Sequence, residues 1–307
     1  MNYDLIGDIH GHAEPLLMLL QRLGYEHDGN SFYHPNRKVI FLGDFIDGGP
    51  AQLEVLSTAR AMVEHDRALA IMGNHEFNAI GWALKDQQGE FLRPHTVKNQ
   101  GQHQAFLDAV GDGSAAHHDW VQWFLTLPVW LDLPELQVVH ACWDIKAQHQ
   151  LRPYLTANNR LNPDQLTACF SKETTAFSAI EQLMKGPEVE LPAGVSFTDK
   201  YQTVRTEARL KWWSASRNYA ELLAVPPSVI EHINKLDLTI DTHTLMEGFS
   251  STEKPTFVGH YWLTGEPEPL STTVACLDYS VARNGTLVAY RFSGESTLCT
   301  SKFIKHQ

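Results

Sequence analysis

Cysteine is scarce in this chain, and no two cysteines lie close together: Cys142, Cys169, Cys276 and Cys299 are the only four, with no C-x-x-C spacing. That excludes a disulfide framework and a cysteine-based zinc site, and fits free thiols in a reducing compartment. No apolar run reaches the roughly 18 residues that a membrane helix needs. The N-terminus also lacks the basic and apolar regions of a leader peptide. A soluble, cytoplasmic protein with no membrane partner is therefore expected. Cations are few as well: 24 Lys and Arg against 36 Asp and Glu give a formal net charge of -12, and no basic stripe appears. Without such a stripe the phosphate backbone of DNA or RNA has no footprint, so no nucleic-acid partner is expected. Gly-x-x-x-x-Gly-Lys does not occur, which removes a P-loop kinase or ATPase.

What the chain does have is enough apolar material for a sizeable core, 43% of 307 residues, and a turn around which the rest is organised. Gly7-Asp8-Ile9-His10-Gly11 follows the short run Tyr3 to Ile6. A carboxylate and an imidazole two positions apart at a strand end can face one metal ion, and that donor pair suits Mn, Fe, Zn or Ni better than Mg or Ca alone. Read alone, the same turn could be an ordinary strand-to-helix connection.

Downstream, Ala13 to Leu23 carries leucines at helical spacing, with Gly24 where a C-terminal cap belongs. Residues 28–37 read as a loop or small hairpin. Lys38 to Leu42 is a strand buried on both faces, ending in Gly43-Asp44-Phe45-Ile46-Asp47-Gly48-Gly49; a helix follows from Gln52 to about His65. Ala68 to Met72 is a third strand, ending in Gly73-Asn74-His75-Glu76. Three strand ends thus each present Gly followed by Asp, Asn or His, at the edge where open α/β sheets bind ligands. Residues 86–118 read as an extended surface segment with a helix near Gln102 to Val110, and Trp120 to Leu127 as helical. Val129 to Leu133 and Leu136 to Val139 are expected strands, the second delivering His140. The pattern resumes at Leu238 to Ile240 and at Thr256 to Val258, which delivers Gly259-His260. Thr272 to Leu277 and Thr286 to Phe292 are expected to pair as closing strands. Residues 145–235 form a mostly helical inserted cap within a single domain spanning 1–307.

Two metals roughly 3.5 to 4 Å apart need two ligand sets, preferably with one carboxylate between them. Asp8 and His10 are expected on the first, Asn74, His140 and His260 on the second, and Asp44 across both. His12, His95, His103, His117, His118 and His243 sit in polar contexts that suit surface or supporting roles.

Taken together, GDIHG, GDFIDGG, GNHE, VVHA and VGH resemble the calcineurin-like metallophosphoesterase superfamily, near its Ser/Thr phosphoprotein phosphatase and symmetrical dinucleoside tetraphosphatase branches. The resemblance implies a four-layer α/β/β/α sandwich and a dinuclear centre of divalent or trivalent Mn, Fe, Zn, Ni or Co. It implies in-line attack on phosphorus by a bridging hydroxide, with His75 as the catalytic acid and Asp47 as the residue that orients it. The implied substrate is a phosphomonoester or phosphoanhydride, carried by a small molecule, a nucleotide or a phosphoprotein. A dinucleoside polyphosphate hydrolase is the narrower alternative, and a non-catalytic metal-binding scaffold of the same fold a third.

The chain departs from the pattern where the family's phosphatases carry phosphate-clamping arginines: it has Gly48, Met72 and Val258 there. Arg209 or Arg205, in the cap, is expected to supply the clamp; the competing reading makes both part of a solvated helix face over Trp212 and Trp213. Cys276 and Arg283 are one residue too far apart for a Cys-x5-Arg phosphate loop.

Overall fold

The computed structural model describes residues 2–198, 204–236, 238, 240–246, 249 and 253–307. The first third alternates strand and helix as its apolar periods require. It runs β1 (Asn2–Ile6), α1 (Ala13–Arg22), the hairpin β2 (Glu26–His27) and β3 (Phe32–Tyr33), β4 (Arg37–Phe41), α2 (Gln52–Glu64), β5 (Ala68–Ala70) and α3 (Asn74–Ala83). Next come α4 (Val97–Val110), α5 (Ala115–Leu125), β6 (Trp130–Asp132) and β7 (Gln137–Val139). The insert holds α6 (Ile145–Leu151), α7 (Leu166–Phe170), α8 (Thr175–Lys185), β8 (Glu188–Glu190), β9 (Phe197–Thr198), β10 (Val204–Arg205), β11 (Glu207–Arg209), α9 (Tyr219–Leu222) and α10 (Pro227–Ile233). After α11 (Thr242–Leu245) the chain closes with β12 (Thr256–Val258), β13 (Val274–Cys276), β14 (Asp278–Tyr279), β15 (Thr286–Phe292) and β16 (Phe303–Lys305).

Two sheets result. One has the order β14-β15-β1-β4-β5, with β16 also on β15; the other runs β13-β12-β7-β6. Burial shows how they stack. Leu5, Ile40, Leu42, Val288, Tyr290 and Phe292 of the first sheet meet Val138, Phe257 and Ala275 of the second in one buried cluster. Their strand neighbours Ile6, Val39, Phe41, Val139, Val258, Leu287 and Ala289 belong to the cluster shared with the helices. Successive strand side chains face opposite ways, so this partition describes two sheets face to face with helices outside: the α/β/β/α sandwich that the family resemblance implies. Strands buried on both faces explain why β4 reads as an unbroken apolar run.

Three local expectations are corrected. Residues 86–118 are not mainly extended: α4 begins at Val97 and α5 at Ala115, because the hydroxyls of Thr96 and Ser114 cap them by accepting from Asn99 N and His117 N. The closing strands do not pair as predicted. Val274–Cys276 runs parallel to β12 in the second sheet, and only Asp278–Tyr279 pairs with β15, so the chain changes sheets at Leu277. Finally, Leu238 and Ile240 lie in no strand, and Thr239 is outside the described residues. In the insert, helices dominate as far as α8. Beyond it lie two short ladders, β8 with β11 and β9 with β10, over a small core of their own that includes Leu191, Leu210, Leu222, Leu223 and Ile233. Among the described residues no helix is long and apolar enough to cross a membrane.

Candidate metal centre

The ends of β1, β4 and the strand at Ala68–Ala70 are stitched together by main chain before any side chain contributes. Ile9 N and His10 N both donate to Asp44 O, and Gly11 N donates to Phe45 O. Gly43, at φ +87, packs so close to Gly73 that a Cβ would strike the backbone there. Glu76, fully buried, holds the second turn against the third: Oε2 accepts from Asp44 N (2.8 Å) and Gly73 N (2.9 Å), and Oε1 accepts from Phe45 N (2.8 Å). Burial, then Asp44, push its pKa up to about 7. Asp278 does the same at the far side, accepting from Trp262 N (2.7 Å) and Ser280 N (2.9 Å). His10, Asp44, Asp47 and His260 all have positive φ, a cost that Asp and His tolerate better than most residues and that collects at functional sites.

This framework brings Asp8, His10, Asp44, Asn74, His140 and His260 together, all of them buried. Ligand atoms of Asp44, His140 and His260 lie within 4.8 Å of one another, and so do those of His10, Asp44 and His75, so that Asp44 is common to both groups. Backbone carbonyls orient two of the imidazoles: His10 Nδ1 meets Ile46 O (2.9 Å) and His140 Nδ1 meets Leu42 O (2.8 Å). That aims each Nε2 inward, as carbonyl or carboxylate partners do for metal-binding histidines. Asn74 Oδ1 lies 3.2 Å from His140 Nε2 and 2.8 Å from His260 Nδ1. Asp8 Oδ2 accepts from His260 N (2.9 Å), and a Cβ at Gly259 would overlap its other oxygen.

The fit to cations rests on atoms left without partners. Asp8 Oδ1, His10 Nε2 and His260 Nε2 are buried and hydrogen-bonded to nothing among the described residues. Such groups are costly unless something satisfies them. A carboxylate and neutral imidazoles converging on one Asp form a donor set for transition-metal ions. The protonation tendencies agree. Burial opposes the Asp44 carboxylate, yet His140, His75 and His10 outweigh it and hold its pKa well below the usual range. Burial, followed by the Arg209 charge, drives His260 well below its ordinary value, towards the neutral form that binds metal. Asp8 goes the other way: burial and then Asp278 push it well above the carboxylate range, a cost that a neighbouring cation would relieve.

Beside this cluster stands a hydrogen-bonded row. His75 Nδ1 lies 2.7 Å from Asp47 Oδ2, and His103 Nδ1 lies 2.8 Å from Asp47 Oδ1. Burial works against the His75 imidazolium, but Asp44 and Asp47 outweigh it and push its pKa up to about 9. His75 is therefore proton-loaded at neutral pH in the metal-free protein. His103, one of six histidines read as having surface or supporting roles, supports the site from helix α4, and nothing in the sequence singles it out from the other five. Asp278 follows an apolar strand run in the manner of Asp8 and Asp44, and that signal could have found it.

The two arginines expected from the cap fare differently. Arg209, on β11, is half-buried, pairs with Glu188 at 3.8 Å and lies 5.9 Å from the Tyr261 ring centroid, next to His260. Arg205 is exposed on β10. Both are on strands, so the helix face considered in the sequence does not exist. Trp212 is buried and hydrogen-bonds Ala141 O and Tyr261 Oη, each at 3.0 Å. At Gly48 itself φ is +147, and a Cβ would lie 3.1 Å from His10 O and 3.5 Å from Ala282 Cβ, so an arginine could not stand there without strain.

Residues 1–131 match the family model described as calcineurin-like phosphoesterase. Among curated proteins, the bis(5'-nucleosyl)-tetraphosphatase PrpE (asymmetrical) of Anoxybacillus flavithermus is 42% identical over 76 residues, which is 24% of this chain and 31% of that protein. The chain thus spans under a third of the length of that relative. Among solved structures, a cold-active protein-tyrosine phosphatase of a psychrophilic Shewanella species aligns with a TM-score of 0.51 at 15% identity, covering 100% of this chain and 80% of that one. A protein serine/threonine phosphatase from Saccharomyces cerevisiae aligns at 0.50 and 14% identity, covering 99% and 78%. The resemblance read from the motifs is borne out by these matches, and the structural likeness shows the metallophosphoesterase fold.

Proposed function

We propose, with the calcineurin-like phosphoesterase match of residues 1–131 as premise, that the chain is a metal-dependent hydrolase of phosphoric esters or anhydrides with a dinuclear centre. The observation that carries this reading is Asp44, common to two ligand groups whose neighbouring Asp8, His10 and His260 atoms are buried without partners. Asp8 and His10 are assigned to one cation, Asn74, His140 and His260 to the other, and Asp44 to both; Mn, Fe, Zn, Ni or Co would suit these donors. The chemistry supplied by a bound pair is Lewis acidity: acidified water for in-line attack, and neutralisation of charge developing on the phosphoryl oxygens.

The chain's own contribution is positioning and proton transfer. His75 is assigned as the acid that protonates the departing oxygen from Nε2, since Nδ1 is engaged by Asp47. Asp47 fixes the ring and stabilises its protonated form, and His103 fixes Asp47. Arg209 is the better supported of the two phosphate-clamp candidates, because it is half-buried beside Tyr261 and its charge reaches His260, whereas Arg205 is exposed. A cytoplasmic setting is supported by four free cysteines, three of them buried.

The substrate is a phosphorylated small molecule, nucleotide or phosphoprotein. Dinucleoside polyphosphates are the narrower reading, favoured by the named activity of the PrpE relative. Metal analysis, together with parallel assays of diadenosine tetraphosphate, a phosphopeptide and p-nitrophenyl phosphate in Mn, tests this. Absence of bound metal and of turnover on all three would leave the non-catalytic scaffold as the better reading.

A further inference from the structure

The segment joining α3 to α4 folds back on the end of α3, with Leu92 N donating to Leu84 O and Arg93 N donating to Gly81 O. This places a half-buried guanidinium next to the acid side of the site. Arg93 Nη2 donates to Asn99 Oδ1 and to Gln102 Oε1, each at 3.1 Å. Gln102 directly precedes His103, whose ring meets the Asp47 carboxylate that holds His75. Asp47, which joins His103 to His75, is also the first carboxylate whose charge the guanidinium senses.

The partners of Arg93 are unusual for a half-buried cation. Both are neutral amide oxygens, and among the described residues no carboxylate lies within 4.0 Å of it. Its Nε and Nη1 donors, three of the five N–H groups of a guanidinium, meet no protein acceptor there. The carboxylate charges it senses, Asp47 and Glu181, are outweighed by burial, which lowers its pKa. Planar guanidinium donors left open in this way match phosphate oxygens.

Its position gives the missing anion a role. On the proposed reading, on which this inference rests, His75 gives its proton to the departing oxygen, so the leaving group departs on the His75 side of the cluster. We propose that Arg93 binds a phosphate carried by the leaving group, and so selects phosphoanhydrides, whose departing half is itself a phosphate, over monoesters with uncharged leaving groups. Neither the metal assignments nor the Arg209 clamp requires this, since both concern the phosphoryl group under attack.

The test is Arg93→Gln, with Arg93→Lys as a second variant, in the Mn-loaded full chain. Inorganic tripolyphosphate and diadenosine tetraphosphate serve as anhydrides, p-nitrophenyl phosphate as the monoester. Arg93→Gln is expected to lose about ten- to a hundredfold in kcat/KM on the anhydrides, the usual worth of a charged hydrogen bond. On p-nitrophenyl phosphate it should stay within about twofold, with unchanged metal content, and Arg93→Lys should fall between. An equal loss on both substrate classes, no loss on either, or a wild type that hydrolyses the monoester alone overturns the assignment. If the wild type hydrolyses none of them, the catalytic reading fails on its own account. The site is then decided by titration calorimetry of tripolyphosphate into the Mn-loaded protein: weakening of tenfold or more in Arg93→Gln supports it, and equal affinity overturns it.

Discussion

Residues 2–83 and the described residues between 188 and 233 both border the candidate site, yet they reach it by opposite means. In the first, every ligand-bearing turn continues directly from a strand buried on both faces, and the turns are bonded to one another through Asp44 O, Phe45 O and the Glu76 carboxylate. Such a site is as rigid as the sheet behind it. In the second, Arg209 sits on a three-residue strand over a separate small core, and that unit is fastened to the sandwich by Trp212 and Tyr261. On the proposed reading the contrast separates duties: cation binding and proton transfer would be built into the sheet edge, while the Arg209 contact would come from a unit that can be altered without disturbing the ligands.

Substitutions on the two sides should therefore behave differently. The largest effect is expected from His75→Asn, a fall in kcat of about 10²- to 10⁴-fold on substrates with poor leaving groups, with metal content unchanged by elemental analysis; a loss of metal instead would make His75 a ligand. Trp212→Ala should cost about 3 to 5 kcal/mol in urea denaturation, because a buried indole and two of its hydrogen bonds are lost. A cost below about 1 kcal/mol would mean that the insert is held by something else. His103→Gln is expected to lower kcat about 10- to 100-fold through Asp47, by analogy with second-layer changes at metal sites. Arg209→Ala should raise KM about tenfold while Arg205→Ala leaves it unchanged; equal effects would break the distinction drawn between them. The smallest effect concerns pH. In chelator-treated protein His75 and His140 have folded-state values raised to about 9 and about 10, above the ordinary 6.5. Their stabilisation is thus complete below about pH 6.5 and is lost as pH rises through those values. Melting temperature should fall over that range, less steeply in His75→Asn.

The same contrast explains what could be read from the amino-acid order. Asp8, Asp44, Asn74, His140 and His260 were legible because each directly follows an apolar strand run, so that local periodicity alone places it at a sheet edge. His103 was not: it lies mid-helix, and only the packing of α4 brings it to Asp47. Arg93 was invisible for a related reason, since the connection that carries it is ordered by main-chain bonds to α3 that leave no pattern in composition. The exchange of sheets at Leu277 escaped prediction because a strand that ends one sheet and a strand that begins another look alike in sequence. In the insert, two- and three-residue strands are too short to show alternation.

The junction of Trp212, Tyr261 and Ala141 also bears on how the protein assembles itself. Ala141 follows His140 and Tyr261 follows His260, and the two are 120 residues apart in the chain. Bringing such distant points together is an encounter problem whose entropic cost rises only with the logarithm of the intervening length. One indole and one phenol thus close a loop that takes in the whole insert, and the contact that docks them also sets the spacing of the two histidines they follow.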